Sequence, residues 1–396
     1  MSLVQSLLNQ FDSIAASPRA QLGRYLGEGK KVIGCFPYYA PEELVYAAGL
    51  IPFGVWGAKG TISAAKEYFA PFYCTIAQMG LELSLNGALD GLSGVLMSSM
   101  CDTLRPLTQN FQVANPDLPF LFLAHPQNRQ LDCGIKYTIS QYSGVLSKLE
   151  AISGVSVSDV SLREAIRICN ANRAARRNFV RLAGEHPEVI SAKARCSVLK
   201  SSYFMDKREH TSMLIELNEN LSLLPVSDRS GNRVVVSGII NDNVGLLDIF
   251  DEYGFAIVAD DVAHESRGMR VDASEDGDPM TALAKQFAEQ NADPLLYDPS
   301  LYSRPNHVLE LVRESGANGV VVLMMQFCDP EELEYPTLAG ALNKAGIPHV
   351  VIGVDQQMTD FGQARTILQA FADVLVPSAD GKGTGVRVQG AGDGRL

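Results

Sequence analysis

Two stretches of this chain end in the same pair of chemically capable residues. Val95 to Asp102 and Val322 to Asp329 agree at five of eight positions without a gap, and both close on Cys-Asp: Cys101-Asp102 and Cys328-Asp329. Each pair follows an apolar run that reads as a buried strand. In open parallel α/β sheets, ligands collect beyond the carboxyl ends of the strands, where loops and helix N-termini offer free backbone donors. If the two stretches face one another, Cys101 and Cys328 share a cleft, and Cys74, on a loop or helix start after Phe69, completes a trio. Three thiolates are soft ligands that select zinc, cuprous copper or an iron-sulfur cluster, and a cubane on three cysteines leaves one iron open to water, sulfide or substrate. Cys35, near another strand end, is a candidate fourth ligand. No compact ferredoxin or finger spacing exists, so burial of unreactive thiols stands as the alternative. Cys169 and Cys196 read as core residues, and Cys133 has no assigned place.

The remaining candidates are fewer. His125 at a strand end is the one catalytic candidate, as a proton or hydrogen-bond donor in the cleft, with a loop histidine satisfied by the backbone as the alternative. Glu42 and Glu43 open a helix where carboxylates complement the dipole. Asp260, Asp261, Glu265 and Arg267 fall in a loop after a strand, and neither group is given a catalytic duty. There is no G-x-G-x-x-G fingerprint, phosphate-loop lysine motif or G-x-S-x-G elbow, so nicotinamide, ATP and serine-hydrolase sites of the usual kinds have no support.

The elements that must position these residues repeat. Lys31 to Cys35, Pro41 to Gly49 and Leu50 to Val55 read as strand, helix, strand, and Val234 to Gly238, Val244 to Tyr253 and Phe255 to Ala259 read the same way. After each Cys-Asp comes a helical interval and a strand opened by proline, Pro119 to Gln127 and Pro348 to Gln356. Alternating elements with near-continuous apolar strands predict two doubly wound parallel-sheet α/β domains related by internal duplication. The expected divisions are residues 1–157 and 231–376 for these domains, a helical insert at 158–230 and a flexible tail at 377–396. The insert opens on Ser161 to Glu164, which suits a capping box. From Ser161 to Leu224 it holds 11 Lys plus Arg against 7 Asp plus Glu, read as solvated helix faces or as a docking surface for an acidic partner or phosphates.

With 33 basic and 45 acidic residues the formal charge is -12, which disfavours a nucleic-acid partner. Met1 to Ala16 lacks the basic start and apolar core of an export signal, and no apolar run reaches the roughly 18 residues of a membrane span. The expectation is a cytoplasmic chain whose seven cysteines form no disulfide framework.

Several segments together carry a resemblance. They are Pro37 to Leu44 with Ala47 to Gly49, Pro52 to Ala58, Cys101-Asp102-Thr103, His125 to Arg129, and Phe327 to Glu332 with Tyr335-Pro336. In order and spacing, from about residue 30 to 375, the chain resembles the 2-hydroxyacyl-CoA dehydratase family, most of all its beta subunits. That family also includes subunits of ATP-dependent benzoyl-CoA reductases. The resemblance implies a heterodimer with a homologous alpha subunit, each subunit holding a 4Fe-4S cluster on three cysteines, carried over to Cys74, Cys101 and Cys328. At Cys35 the family usually has an apolar residue; a thiol reaching the cluster there would close the open iron.

The implied reaction is oxygen-sensitive. A separate iron-sulfur ATPase activator supplies a low-potential electron, a ketyl radical forms on the thioester, and water leaves, syn or anti, to give an enoyl-CoA. The acyl-CoA sits mainly at the partner subunit, so this chain relays the electron. A flavin in the complex is a further expectation. The alternatives are a subunit of a benzoyl-CoA reductase-type enzyme and a non-catalytic, cluster-bearing or metal-free partner protein.

Overall fold

A computed structural model describes residues 3–36, 38–56, 60–226 and 231–375. The tail expected at 377–396 lies outside the described residues, as do Pro37, Gly57 and Ala58 of the family-like segments. The first sheet holds β1 (Val32–Phe36), β2 (Ile51–Gly54), β3 (Gly94–Ser98) and β4 (Phe120–Leu123), all parallel, in the order β2-β1-β3-β4. The second holds β5 (Asn232–Gly238), β6 (Phe255–Val262), β7 (Gly319–Met325) and β8 (His349–Val354), also parallel, in the order β6-β5-β7-β8. The duplicated doubly wound architecture is therefore present, one strand order twice. With Val95 matched to Val322 and Pro119 to Pro348, the pairing of β7 with β8 runs two residues further along than that of β3 with β4. An even offset keeps each side chain on its own face, so the slip leaves the core pattern intact.

Alternation along the strands sorts residues between two layers. Val32 and Phe36 of β1, with Val95 and Met97 of β3, enter one core, whereas Ile33, Cys35 and Leu96 enter the core on the opposite face. In the second sheet Val234, Val236, Val321, Leu323 and Met325 enter that same first core, and Val235, Val320 and Val322 turn away from it. The inner faces of both sheets thus belong to one continuous apolar body.

The region between the halves is helical, as Asp159–Glu185, Ala192–Ser201 and Lys207–Ser222. Leu7, Leu8 and Phe11 of the opening helix Leu3–Ala16 pack into the same small core as Phe179, Leu214 and Leu217. The capping box falls three residues earlier than the Ser161-to-Glu164 pattern: the Ser158 hydroxyl accepts from the Ser161 N–H at 3.2 Å, and the Ser161 hydroxyl accepts from the Ser158 N–H at 2.9 Å. The basic surplus of this region is spent largely inward. Arg173 pairs with Glu43 at 2.7 Å, Lys207 with Glu42 at 3.1 Å, Lys200 with Asp242 at 2.9 Å, and buried Arg195 with Asp260 and Glu265. Glu42 and Glu43, read above as dipole partners, therefore tie the first sheet's helix Glu42–Ala47 to the helical region.

Strand β6 runs past the Ala259 expected as its end, so Asp260 and Asp261 lie within it. An extra residue, Val258, bulges opposite Val234 and Val235, where Gly184 lets the long helix approach: a Cβ there would lie 2.6 Å from the Val258 carbonyl oxygen. Beyond the bulge the two aspartates point to opposite sides. Asp261 accepts from Arg267 Nε at 3.1 Å, Arg304 Nε at 2.7 Å, Arg270 Nη2 at 2.7 Å and the Ser237 hydroxyl at 2.8 Å. Arg267 and Arg304 then reach Glu331 at 2.6 and 2.8 Å, and Arg304 also bonds Glu334. Both glutamates belong to the helix Asp329–Lys344, which starts directly after Cys328. Burial alone would raise the Asp261 carboxyl, but the guanidinium groups of Arg267, Arg304 and Arg270 hold it well below the usual carboxylate range.

Removing one partner of a buried ion pair costs about 3–5 kcal/mol because a charge is left uncompensated. Glu331→Gln is expected to lower unfolding free energy by that order in urea titrations. Glu310→Gln, which breaks the exposed pair with Arg313 (side chains 55% and 74% exposed), should change it by less than about 1 kcal/mol.

Burial also keeps four histidines neutral, with His125 and His210 pushed down to about 3 and His264 and His307 to about 4. Below the ordinary histidine value of about 6.5 the unfolded chain then binds more protons than the folded one. Stability is complete above that pH and declines as pH falls toward 4, by about 1.4 kcal/mol per unit and per histidine. His210 is bonded on both ring nitrogens, by Asn172 Nδ2 at 2.9 Å and the Val198 carbonyl at 3.0 Å. In urea titrations from pH 6.5 to 4.5, His210→Gln should show a shallower decline than the wild type.

Candidate metal centre

Cys74, Cys101 and Cys328 all pack, partly buried, against the core shared by the two sheets. Each sits where a helix begins. Cys74 caps Thr75–Leu85, Cys328 caps Asp329–Lys344, and the Cys101 carbonyl accepts the N–H of Leu104, first residue of Leu104–Ala114, at 3.1 Å. The N–H groups of Ala77 and Ile76 approach the Cys74 sulfur, those of Leu104 and Thr103 approach Cys101, and that of Glu331 approaches Cys328. Such donors favour a thiolate.

The wider surroundings oppose it. Burial pushes all three thiols up, Cys101 to about 12, and the thiols add to the effect on one another: Cys74 acts on Cys101, and both act on Cys328. The sulfurs from the two halves are thus neighbours close enough to feel each other's charge. Among the described residues no three His, Cys, Asp or Glu side chains are drawn together around the position of a single ion. A cubane makes a different demand, because each cysteine binds its own iron at a separate corner. The donor set suits such a group: three neighbouring cysteine sulfurs, partly buried against the shared core with backbone N–H groups near them, are the soft ligands that it takes.

The other candidates lie elsewhere. The Cys35 side chain enters the core on the far face of the first sheet, its sulfur 3.6 Å from the Ile33 carbonyl oxygen, and its charged neighbours are Glu42 and Lys207 rather than the trio. Cys169 is buried beside Glu43 and Arg173, and Cys196 is buried in the shared core. His125 stacks on Phe287 with ring centroids 4.1 Å apart, and neither ring nitrogen has a hydrogen-bond partner among the described residues. With its pKa at about 3 it is a neutral ring at physiological pH, so it holds no acidic proton on a cationic nitrogen to give.

Sequence reasoning did not single out several residues around the thiols. Phe327 has φ of 61°, the single non-glycine residue in the left-handed region among those described, and its N–H donates to Glu332 Oε1 at 3.1 Å. That strained turn directs the chain into Cys328. Asp355, after β8, accepts from the Thr75 hydroxyl at 3.1 Å, joining the second half to the helix start beside Cys74. Its only signal was its place just before Gln356 in the repeated Pro-to-Gln segment. A groove of about 470 Å³ opens beside Cys101, lined by Met100, Asp102 and Gln127 of the first half and Tyr297, Asp329 and Leu333 of the second.

Comparison with known proteins shows the family. The family described as 2-hydroxyglutaryl-CoA dehydratase, D-component, matches residues 37–375. The chain is 52% identical to the (R)-2-hydroxyglutaryl-CoA dehydratase subunit beta of Acidaminococcus fermentans, over 94% of this chain and 100% of that protein. It is 41% identical to the (R)-phenyllactyl-CoA dehydratase beta subunit of Clostridium sporogenes and 40% to the lactoyl-CoA dehydratase subunit beta of Anaerotignum propionicum, each over 95% of this chain and 100% of the relative. No helix among the described residues is long and apolar enough to cross a membrane. On the extent of these matches, the chain belongs to the 2-hydroxyacyl-CoA dehydratase family, as a beta-type subunit.

Proposed function

We propose that this chain is the electron-relaying subunit of a 2-hydroxyacyl-CoA dehydratase, holding a 4Fe-4S cluster on Cys74, Cys101 and Cys328. The observation that carries the reading is the mutual electrostatic effect of these three thiols, drawn from both halves of the chain and each set at a helix start. When bound, the cluster supplies a one-electron step of low potential, the chemistry needed to reach a ketyl radical on a thioester whose β-hydrogen is otherwise too weakly acidic for elimination. The chain's own residues have quieter duties. Backbone N–H groups at three helix starts approach the sulfurs, the shared core excludes water from one side, and the Asp261 network fixes the helix behind Cys328. The chain acts with a homologous alpha subunit that carries most of the acyl-CoA site, and with an ATP-dependent iron-sulfur activator. A flavin in the assembled complex belongs to the same proposal.

The benzoyl-CoA reductase-type reading differs in electron balance, since a dehydratase returns its electron each turnover and a reductase consumes reductant with product. Anaerobic preparations of the complex test the assignment. Cys74→Ser, Cys101→Ser and Cys328→Ser should each lose iron, sulfide and dehydratase activity together, while Cys169→Ser and Cys35→Ser should keep wild-type iron. Equal iron in all five variants would overturn the ligand set. Stoichiometric reductant consumption would overturn the dehydratase.

A further inference from the structure

The strongest charged neighbours of the three thiols share one sign. The charged groups that act most strongly on them, besides each other, are all acids: Asp329 and Asp355 on Cys74, Asp102 on Cys101, and Glu331 on Cys328. Cys35 and Cys169, by contrast, each have a cation among their strongest neighbours, Lys207 in both cases and Arg173 for the second.

These four acids are not equivalent. Glu331 is neutralised by Arg267 and Arg304 at 2.6 and 2.8 Å. Asp102 and Asp329 are exposed, where water and salt screen them. Asp355 is half-buried, and no Lys, Arg or His lies within ion-pair distance of it among the described residues. Its two oxygens are pinned: Oδ2 accepts from the Thr75 hydroxyl at 3.1 Å, and Oδ1 accepts from the Gln357 N–H at 2.6 Å. The Thr75 oxygen in turn accepts from the Gln356 N–H at 3.1 Å. Thr75 is bonded to Cys74, so the carboxylate cannot swing into water without breaking the joint between the halves.

We infer that Asp355 sets the reduction potential of the cluster held by Cys74, Cys101 and Cys328, its fixed charge, without an ion-pair partner among the described residues, holding that potential down. The inference rests on the cluster reading above. Reduction adds one electron and changes no bond or proton, so a stationary negative charge nearby penalises the reduced state. Asp355 is a positioning and field residue, not a catalytic one, since it acts through Thr75 and through space.

The test uses the full chain, reconstituted anaerobically with iron and sulfide, and a low-potential chemical reductant in a titration followed by electron paramagnetic resonance. Asp355→Asn is close in shape and keeps an acceptor for the Gln357 N–H, so its iron content should equal that of the wild type. At the wild-type midpoint its reduced-to-oxidised ratio should rise about tenfold, equivalent to about 59 mV for one electron. Glu310→Gln, which removes an exposed charge on the outer helix Arg304–Ser315, should leave the ratio unchanged. A ratio within twofold of wild type in fully loaded Asp355→Asn would overturn the inference, as would an equal rise in Glu310→Gln. Loss of iron in Asp355→Asn would also overturn it, by making the loop a structural clamp. A wild-type chain that takes up no iron under these conditions fails at the earlier step and removes the cluster reading itself.

Discussion

The organisation of the second half depends on burying two guanidinium groups beside three carboxylates. Arg267 and Arg304 are 0% exposed, and each charge must be met locally because an unpaired ion in an apolar interior is prohibitively costly. Asp261 meets both from the sheet, and Glu331 meets both from the helix that follows Cys328. The helix is therefore held in rotation and depth by ion pairs that admit few alternatives, unlike apolar packing that tolerates sliding. The network also touches the first half. Asp293 lies 3.8 Å from Arg267 and accepts from the Tyr38 and Tyr39 hydroxyls at 2.7 and 2.9 Å, just beyond β1.

Duplication supplied two similar sheets, but the site they border is not symmetric. Cys101 and Cys328 occupy matching places after β3 and β7, whereas Cys74 comes from the first half alone, at a helix start following β2. In the second half, the region after β6 carries Arg267 and Arg270 instead, and these serve the ion network. One copy thus contributes an additional thiol and the other a rigid support. The shared core joins them, since both sheets turn alternate residues into the same apolar body. Separating the halves would expose that body as well as the thiols, so the site and the fold have a common source of stability.

Strands and their sidedness were readable because parallel strands buried on both faces leave nearly continuous apolar runs, and the repeated Cys-Asp marked where two of them end. The end of β6 was not. Asp260 and Asp261 look like loop residues until their partners, Arg195, Arg267 and Arg304, are seen arriving from distant parts of the chain. The same limit explains the helical region, whose basic surplus reads as solvated when its acidic partners, Glu42, Glu43, Asp242 and Glu265, lie far off in sequence. Of the three candidate cysteines, Cys101 and Cys328 were legible as residues that follow strands, and Cys74 as a loop or helix start. Strand ends did not separate Cys35 from the trio, because its position in β1 sends the side chain to the opposite face. Left-handed Phe327 and the Thr75–Asp355 joint carry no local pattern: one is a backbone angle and the other a contact between halves.

The environment of the thiols constrains when a metal can enter. In the metal-free chain, burial and mutual repulsion keep the three sulfurs protonated, and the nearby acids add to that cost. On the proposed reading, ligation would require the opposite state, so binding of a cluster would release protons and offset the separation of charge with several metal–sulfur bonds at once. A single thiol from one half gains little from that exchange. Because the three sulfurs come from both halves, which the shared core and the Thr75–Asp355 hydrogen bond hold together, uptake of the proposed cluster would be coupled to assembly of the two halves. That coupling gives physical content to drawing ligands from both copies of a duplicated fold: the separated halves retain sulfurs but lose the arrangement that makes ionising them worthwhile.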